Sequence, residues 1–309
     1  MSSPSTSTLI ILLGPTGVGK TNLSILIANH FHAEIISCDS RQIYREMSIG
    51  TAVPVPSQLS EVPHHFIHSH TIFEPYNAAR FESEVLALLE TLFARHRVVV
   101  MTGGSMLYID ALCKGIDDLP DIDPELRATL QERMKLEGIE QLRAELKLLD
   151  PVYYHEVDLQ NPVRIIHALE ICYTTGKTFS SQRTKPSKQR PFHVLKIGLN
   201  RDRTVLYDRI NQRVDEMMVA GLEQEARRLL PYRDLNTLNT VGYRELFDYL
   251  DGHLTLGEAV EKIKANSRKY ARKQLTWFRK DPDIHWFHPD QKEEIFQLIT
   301  NYQLRITAQ

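Results

Sequence analysis

One segment constrains this chain more than any other: Gly14-Pro15-Thr16-Gly17-Val18-Gly19-Lys20-Thr21, set between an apolar run at 9–13 and a periodic stretch at 21–30. The run Leu9-Ile10-Ile11-Leu12-Leu13 reads as a buried strand, and Leu23, Leu26 and Ile27 give the following stretch a helical face. A GxxxxGK[ST] loop between strand and helix supplies the parts of a phosphate cradle in order. Its glycines let the backbone wrap an anion with N–H groups turned inward. Lys20 brings a point charge to the terminal phosphate oxygens, and the Thr21 hydroxyl can take up Mg2+. The helix that follows turns its positive dipole end toward the phosphates. The segment predicts a polyphosphate or nucleotide site of the kind that holds ATP. It does not name a reaction, because ATPases, GTPases, kinases and a few transferases all use it.

Bulk properties narrow the class. A chain of 309 residues holds one large domain or two modest ones. Its 42% hydrophobic and 25% charged residues, with net charge −2, are those of an ordinary soluble protein. No apolar stretch approaches the ~20 residues that span a bilayer, so no membrane partner is expected. Residues 1–8 are rich in Ser and Thr, lack the layout of a signal peptide, and read as a disordered tail. Cys38, Cys113 and Cys172 are far apart and form no CxxC pair, which supports neither zinc nor disulfides and points to a reducing cytoplasm.

The first third alternates strand and helix. A second strand at 34–38 ends at Asp39, and a helix at 77–95 carries Phe81, Val85, Leu88, Leu89 and Leu92 on one side. A third strand, Arg97-Val98-Val99-Val100-Met101, closes in Thr102-Gly103-Gly104. Such alternation predicts an α/β fold, a P-loop NTPase-like parallel sheet covered by helices, with ligands at the carboxyl ends of the strands. From about residue 119 the character changes. Asp121-Ile122-Asp123-Pro124 opens a charge-laced helical stretch through 149, a second helix covers 162–173, and 176–191 is basic and acid-free. A strand returns at 193–199; the remainder is mostly helical, with a short strand at 284–287 and a terminal helix. The expected division is a discontinuous core, 8–118 and 192–309, interrupted by a helical insertion at 119–191.

Three features bear on chemistry. Asp39 stands at a strand end near the P-loop mouth, where it can serve Mg2+, act as a general base, or cap a helix. The third strand ends without an Asp, so the usual ATPase metal carboxylate is missing and a motor ATPase is disfavoured. Gly103-Gly104-Ser105 can bring backbone close to a ligand or simply make a tight turn. The His64-His65 pair lacks a third ligand in register, and adjacent strand residues face opposite ways. Finally, 262–280 carries eight Lys or Arg and no acid, and 177–201 is likewise acid-free. In the first of these, Ile263, Tyr270 and Trp277 form an apolar stripe expected to pack inward. Arg268, Lys269, Arg272 and Lys273 then suit a phosphate backbone on the other sides.

Taken in order, GPTGVGKT, DSRQIY, Ile49-Gly50-Thr51-Ala52, Pro63-His64-His65, GGSMLY and DPVYYHEVDLQNPVRIIHALE resemble the tRNA dimethylallyltransferase (tRNA isopentenyltransferase) family. So do Arg209-Ile210, Arg213-Val214-Asp215-Glu216-Met217, Val241-Gly242-Tyr243-Arg244-Glu245 and Tyr270-Ala271-Arg272-Lys273-Gln274-Leu275-Thr276-Trp277-Phe278. The resemblance covers nearly the whole chain and looks bacterial, with no zinc-finger extension expected. It implies transfer of a dimethylallyl group from dimethylallyl diphosphate to N6 of adenosine 37 in tRNA, by a monomer whose insertion grips the anticodon stem-loop.

The resemblance also implies residue roles. The P-loop, Gly14 to Thr21, becomes a pyrophosphate cradle, in which Mg2+, Thr16, Lys20, Thr21 and Arg213 neutralise the leaving group. Asp39 matches the base for the adenine amine, and Ser40, Arg41 and Gln42 match the strip touching a flipped-out base. Ser105 stands where relatives carry Thr and matches a tRNA contact. Arg127 and the run Val163, Arg164, Ile165, Ile166, His167 match tRNA-contacting positions on the insertion, with His167 where relatives carry Arg. Val53 replaces a usual Lys.

Overall fold

All six residues of β1 (Thr8–Leu13) are buried, with Leu9, Ile11 and Leu13 entering one core layer and Ile10 and Leu12 the other. A strand covered on both faces needs no polar alternation, which accounts for the continuous apolar run in the sequence. The computed structural model describes residues 6–117, 119–120, 123–183 and 188–308. Residues 1–5 of the Ser/Thr-rich start, Asp121 and Ile122, and 184–187 of the basic stretch lie outside the described residues.

After β1 come α1 (Lys20–Phe31), β2 (Ile35–Ser37), α2 (Pro56–Glu61), β3 (His64–His65), α3 (Ala78–Phe93), β4 (Val98–Gly103) and α4 (Met106–Lys114). Five helices follow: α5 (Pro124–Glu137), α6 (Ile139–Leu149), α7 (Pro151–Glu156), α8 (Pro162–Thr175) and α9 (Phe179–Gln182). The chain then forms β5 (His193–Leu199), α10 (Arg203–Val219), α11 (Leu222–Leu229), α12 (Tyr243–Leu250), α13 (Leu256–Phe278), β6 (Ile284–Phe287) and α14 (Lys292–Thr307). Helix α4 was not anticipated. It buries Tyr108, Ile109, Ala111 and Leu112 directly after the glycine turn.

The strands form one sheet in the order β3-β2-β4-β1-β5-β6, parallel throughout. One face carries α1, α10 and α14 through Leu23, Ile27, Leu206, Ile210, Ile295 and Ile299. The other carries α3 and α4 through Phe81, Val85, Leu89, Ile109 and Leu112. A third cluster joins Ile43, Tyr44 and Met47 to α11, α12 and α13. Register sets Leu13 opposite Gly103 and Ser37 opposite Thr102. The loops after β1, β2 and β4 therefore leave the sheet side by side at its carboxyl edge, where open α/β sheets place ligands.

The chain divides into two compact units, Met1–Cys113 with Gln189–Gln309, and Lys114–Lys188. The second starts earlier than the expected residue 119, because a shift in composition trails the point where packing changes. Its own core gathers Leu130, Leu142, Leu146, Ile165 and Leu169. The fully buried Asp150 caps α7, accepting from the Tyr153 N–H at 2.9 Å and the Ser180 N–H and hydroxyl at 2.6 and 2.7 Å. Asn161 caps α8 through the Arg164 N–H.

Candidate active site

Gly19 stands at the N-cap of helix α1; its φ of 111° suits glycine, and its missing side chain leaves the first-turn N–H groups uncapped. These groups face a cavity of about 890 Å3 lined by the P-loop, the Asp39 turn, the Gly103-Gly104 turn, α10 and α13. Lys20 Nζ donates to the carbonyls of Gly14 and Pro15, both at 2.9 Å. Burial first, and then the Arg213 charge, lower the pKa of its amine to about 8, with Asp39 working the other way. Burial likewise pulls the Arg213 guanidinium below its usual value, with Asp39 opposing. Among the described residues, Arg213 has no carboxylate within ion-pair distance. Two cations desolvated together, with Asp39 and Glu216 acting on them only at a distance and not in ion-pair contact among the described residues, form an anion site.

Two arginines missed by the sequence reading hold the loop from outside. Arg209 Nε donates to the Gly17 carbonyl and Arg201 Nε to the Val18 carbonyl, each at 2.9 Å. Arg209 stood inside a quoted motif and Arg201 at the end of a basic stretch, but neither signal names a loop carbonyl as the acceptor.

Asp39 belongs to a turn, so the helix-cap reading fails; its Oδ1 accepts from the N–H groups of Arg41 at 2.9 Å and Gln42 at 3.4 Å. The turn is braced from two directions. The Ser40 N–H donates to Ser105 Oγ at 2.8 Å, and Gln42 Nε2 donates to the carbonyls of Thr51 and Ala52 at 3.2 and 3.0 Å. Asp39, Ser40, Arg41 and Gln42 all line the cavity, but Ser105 is buried and does not. The Ser105 oxygen serves the Asp39 turn, a bracing role that the sequence did not anticipate beside the expected tRNA contact. The Gln42 amide is likewise spent on the protein. Val53 lies on the cavity wall.

The 48–50 loop hangs on a carboxylate that no motif predicted. Glu225, 3% exposed, accepts from the N–H groups of Ser48 (3.0 Å), Ile49 (2.9 Å) and Gly50 (2.9 Å) and from the Tyr243 hydroxyl (2.6 Å). Burial and the Glu225 charge push the Tyr243 phenol far up, so it stays a donor.

The expected inward stripe of α13 is wrong in part. Ile263 is buried, but Tyr270 and Trp277 are each 37% exposed. An α-helix drifts by ~20° per seven residues, so the stripe walks off the packed face. That face is Ala259, Ile263, Ala271, Gln274 and Phe278. Tyr270 lines the cavity with Lys269 and Lys273, and Trp277 Nε1 donates to Asp110 at 2.8 Å. Arg272 is exposed, while Arg268 donates to Asn211. Gln274, quoted but given no role, accepts from the Thr16 N–H at 2.9 Å and donates to the Gly104 carbonyl at 2.8 Å. Thr16 therefore offers the cavity its side chain and not its N–H.

In the Lys114–Lys188 unit, Val163 is 73% exposed and Arg164 is exposed, whereas Ile165 and Ile166 are buried in the core. The expected RNA contact is corrected for those two side chains, which hold α8 in place. Arg127 is bound through Nε and Nη2 to the fully buried Glu170 at 2.6 and 2.8 Å, and His167 Nδ1 lies 3.4 Å from the same carboxylate. His64 and His65 turn to the Val62 carbonyl and to Glu34 at 2.7 Å each. Among the described residues no three His, Cys, Asp or Glu side chains are placed to hold a metal. The cavity offers the Thr21 hydroxyl and two carboxylates, Asp39 and Glu216. That donor set fits Mg2+, which keeps water and phosphate oxygens as most of its ligands.

A family model described as IPP transferase matches residues 42–281. The tRNA dimethylallyltransferase 1 of Bacteroides fragilis is 59% identical over 94% of this chain and 97% of its own length. The enzyme of the same name from Phocaeicola vulgatus is 60% identical with the same coverage. Among solved structures, the full-length tRNA isopentenylpyrophosphate transferase of Bacillus halodurans superposes with a TM-score of 0.72 at 35% identity, covering 98% of both chains. A eukaryotic dimethylallyltransferase acting on tRNA gives 0.78 at 25% identity, covering 96% of this chain and 80% of that one.

Proposed function

The chain belongs to the IPP transferase family, and from that premise we infer that it is a tRNA dimethylallyltransferase using dimethylallyl diphosphate as donor and N6 of adenosine 37 as acceptor. The observation that carries this reading is the pairing of unlike groups in one cavity: two desolvated cations held in no ion pair among the described residues, Lys20 and Arg213, and one braced carboxylate, Asp39.

In the reaction the allylic C–O bond breaks and a C–N bond forms to N6. Diphosphate departs, and the amine proton passes to the Asp39 carboxylate. Lys20, Arg213 and the uncapped N–H groups at the start of α1 stabilise charge as it grows on the leaving oxygen, which makes them matter most in the transition state. Mg2+, with Thr21 as protein ligand, supplies further neutralisation of the diphosphate when bound. The Arg41 and Gln42 N–H groups hold one Asp39 oxygen, orienting the carboxylate as a base. The adenine must leave its stack to reach that carboxylate. Every group named comes from one chain, so a monomer suffices.

The test supplies radiolabelled dimethylallyl diphosphate with unmodified tRNA, and ATP in a parallel reaction. Label should appear in RNA with release of diphosphate, and ATP should be left intact. Release of ADP stimulated by tRNA, with no label in RNA, would overturn the reading.

A further inference from the structure

Gln274 touches both halves of the site. Its side chain is 2% exposed, its Oε1 takes the Thr16 N–H of the phosphate cradle at 2.9 Å, and its Nε2 donates to the Gly104 carbonyl at 2.8 Å. Ser105, the next residue, receives the Ser40 N–H beside Asp39 at 2.8 Å. An unbroken series of bonds thus runs from the P-loop through Gln274 and the glycine turn to the carboxylate. The fit is close. A Cβ on Gly104 would stand 2.1 Å from Gln274 Nε2, so glycine is required for this approach. The P-loop also gives up one N–H that could have faced a phosphate. That arrangement costs anion contacts, and it makes sense if it fixes a distance instead.

Resting on the transfer reaction above, we propose that Gln274 is a positioning residue that holds the cradle and the Asp39 turn at one separation. The two ends of the reaction are the breaking C–O bond at the cradle and the proton leaving N6 at Asp39. Neither end is touched by Gln274. A substrate anchored at both requires their spacing to hold within a fraction of an ångström, and a shift of ~1 Å costs on the order of 10²-fold in rate. Losing Gln274 therefore lowers kcat and leaves the affinity of each substrate nearly intact. It also frees the Thr16 N–H.

Gln274→Ala and Gln274→Glu, compared with wild type, test this. Hydrogen exchange at the Thr16 amide, measured with inorganic diphosphate present, reads the tie without needing turnover. Exchange should quicken in Gln274→Ala and stay slowed in Gln274→Glu, which keeps the acceptor. In transfer assays Gln274→Ala should lose roughly 10–10² in kcat, with KM for donor and for tRNA within about threefold. A carboxylate at 274 cannot donate to Gly104 until protonated, and burial raises the pH at which that happens. The kcat of Gln274→Glu relative to wild type should accordingly rise as pH is lowered from ~8 to ~6. A Thr16 amide that exchanges as in wild type overturns the proposal. So does an unchanged kcat, or a loss confined to KM. If wild type moves no allyl group to tRNA, the assigned function fails, while the exchange data still decide whether Gln274 ties the two loops.

Discussion

Arg213 and Arg127 were both expected from the family resemblance to bind substrate, and the structure treats them in opposite ways. Arg127 is bonded twice to the buried Glu170, which raises its already high pKa. Arg213 lines the cavity with no carboxylate in ion-pair reach among the described residues, and burial lowers its pKa. A paired guanidinium has met its electrostatic need within the fold. A desolvated, unpaired one is held at a cost that an incoming anion can offset. The comparison separates a cation that supports structure from one kept ready for a ligand, a distinction that the residue type does not carry.

The largest test concerns the carboxylate that faces Arg213 without pairing to it. Asp39→Asn should keep the turn, since the amide oxygen can still accept from Arg41, and should lose the base. A fall in turnover of about 10²–10⁴ is expected in single-turnover assays at saturating substrates. Near-normal rates there would reduce Asp39 to a counter-charge and remove half of the comparison.

Next come the cations of the cradle. Lys20→Ala and Arg213→Ala should each depress kcat by about 10²–10³, the scale of losing one preorganised donor to a developing oxyanion. Because both act on the same diphosphate, the double variant should lose less than the product of the two. The pH profile adds a sign. With its amine at about 8 in the free protein, Lys20 is charged below that pH and neutral above it. The kcat/KM for donor should therefore fall on the alkaline side of about 8, and Lys20→Arg should lose that limb. Strictly additive losses would place the two cations on different groups.

A smaller effect probes the comparison directly through stability. Arg127→Met strands the buried Glu170 and should cost roughly 1–2 kcal/mol, discounted because Arg127 is half exposed. Arg213→Met removes a buried charge with no partner and should leave Tm unchanged or raised. Equal destabilisation in thermal melts would show that Arg213 is structural as well.

The smallest effect lies on α13. Replacing Lys269 and Lys273 by Gln should weaken tRNA binding and flatten its salt dependence by ~0.7–0.9 log units for each RNA phosphate left without its cation. Turnover at saturating tRNA should barely change. An unaltered slope in filter binding would make these lysines a solvated face.

Much of the fold was legible because the buried parallel strands announce themselves. β5 and β6 run over the expected residues, β1 starts one residue earlier than expected, and α1 is one residue longer at each end. The misses have physical causes. β3 has two residues, too few for any period, and α4 follows so closely on Gly103-Gly104-Ser105 that the turn signal hid it. On α13 a seven-residue stripe stood in for a 3.6-residue face, and Tyr270 faces the cavity as a result. On α8, four neighbouring residues look alike as a motif, yet the helix buries Ile165 and Ile166 and exposes Val163 and Arg164.

From the amino-acid order alone came the parallel sheet, the phosphate cradle at the end of its first strand, and Asp39 at the end of its second. These are local consequences of apolar runs, glycines and strand-to-helix turns, and they need no distant partner. Tertiary structure decided which side chains are spent and which are offered. The N–H of Thr16 goes to a side chain 258 positions away, and the 48–50 loop depends on Glu225. Arg213 is left without the carboxylate that Arg127 possesses. A hydrogen-bond partner is chosen by proximity in space after the sheet and helices have packed, so no local pattern can name it in advance.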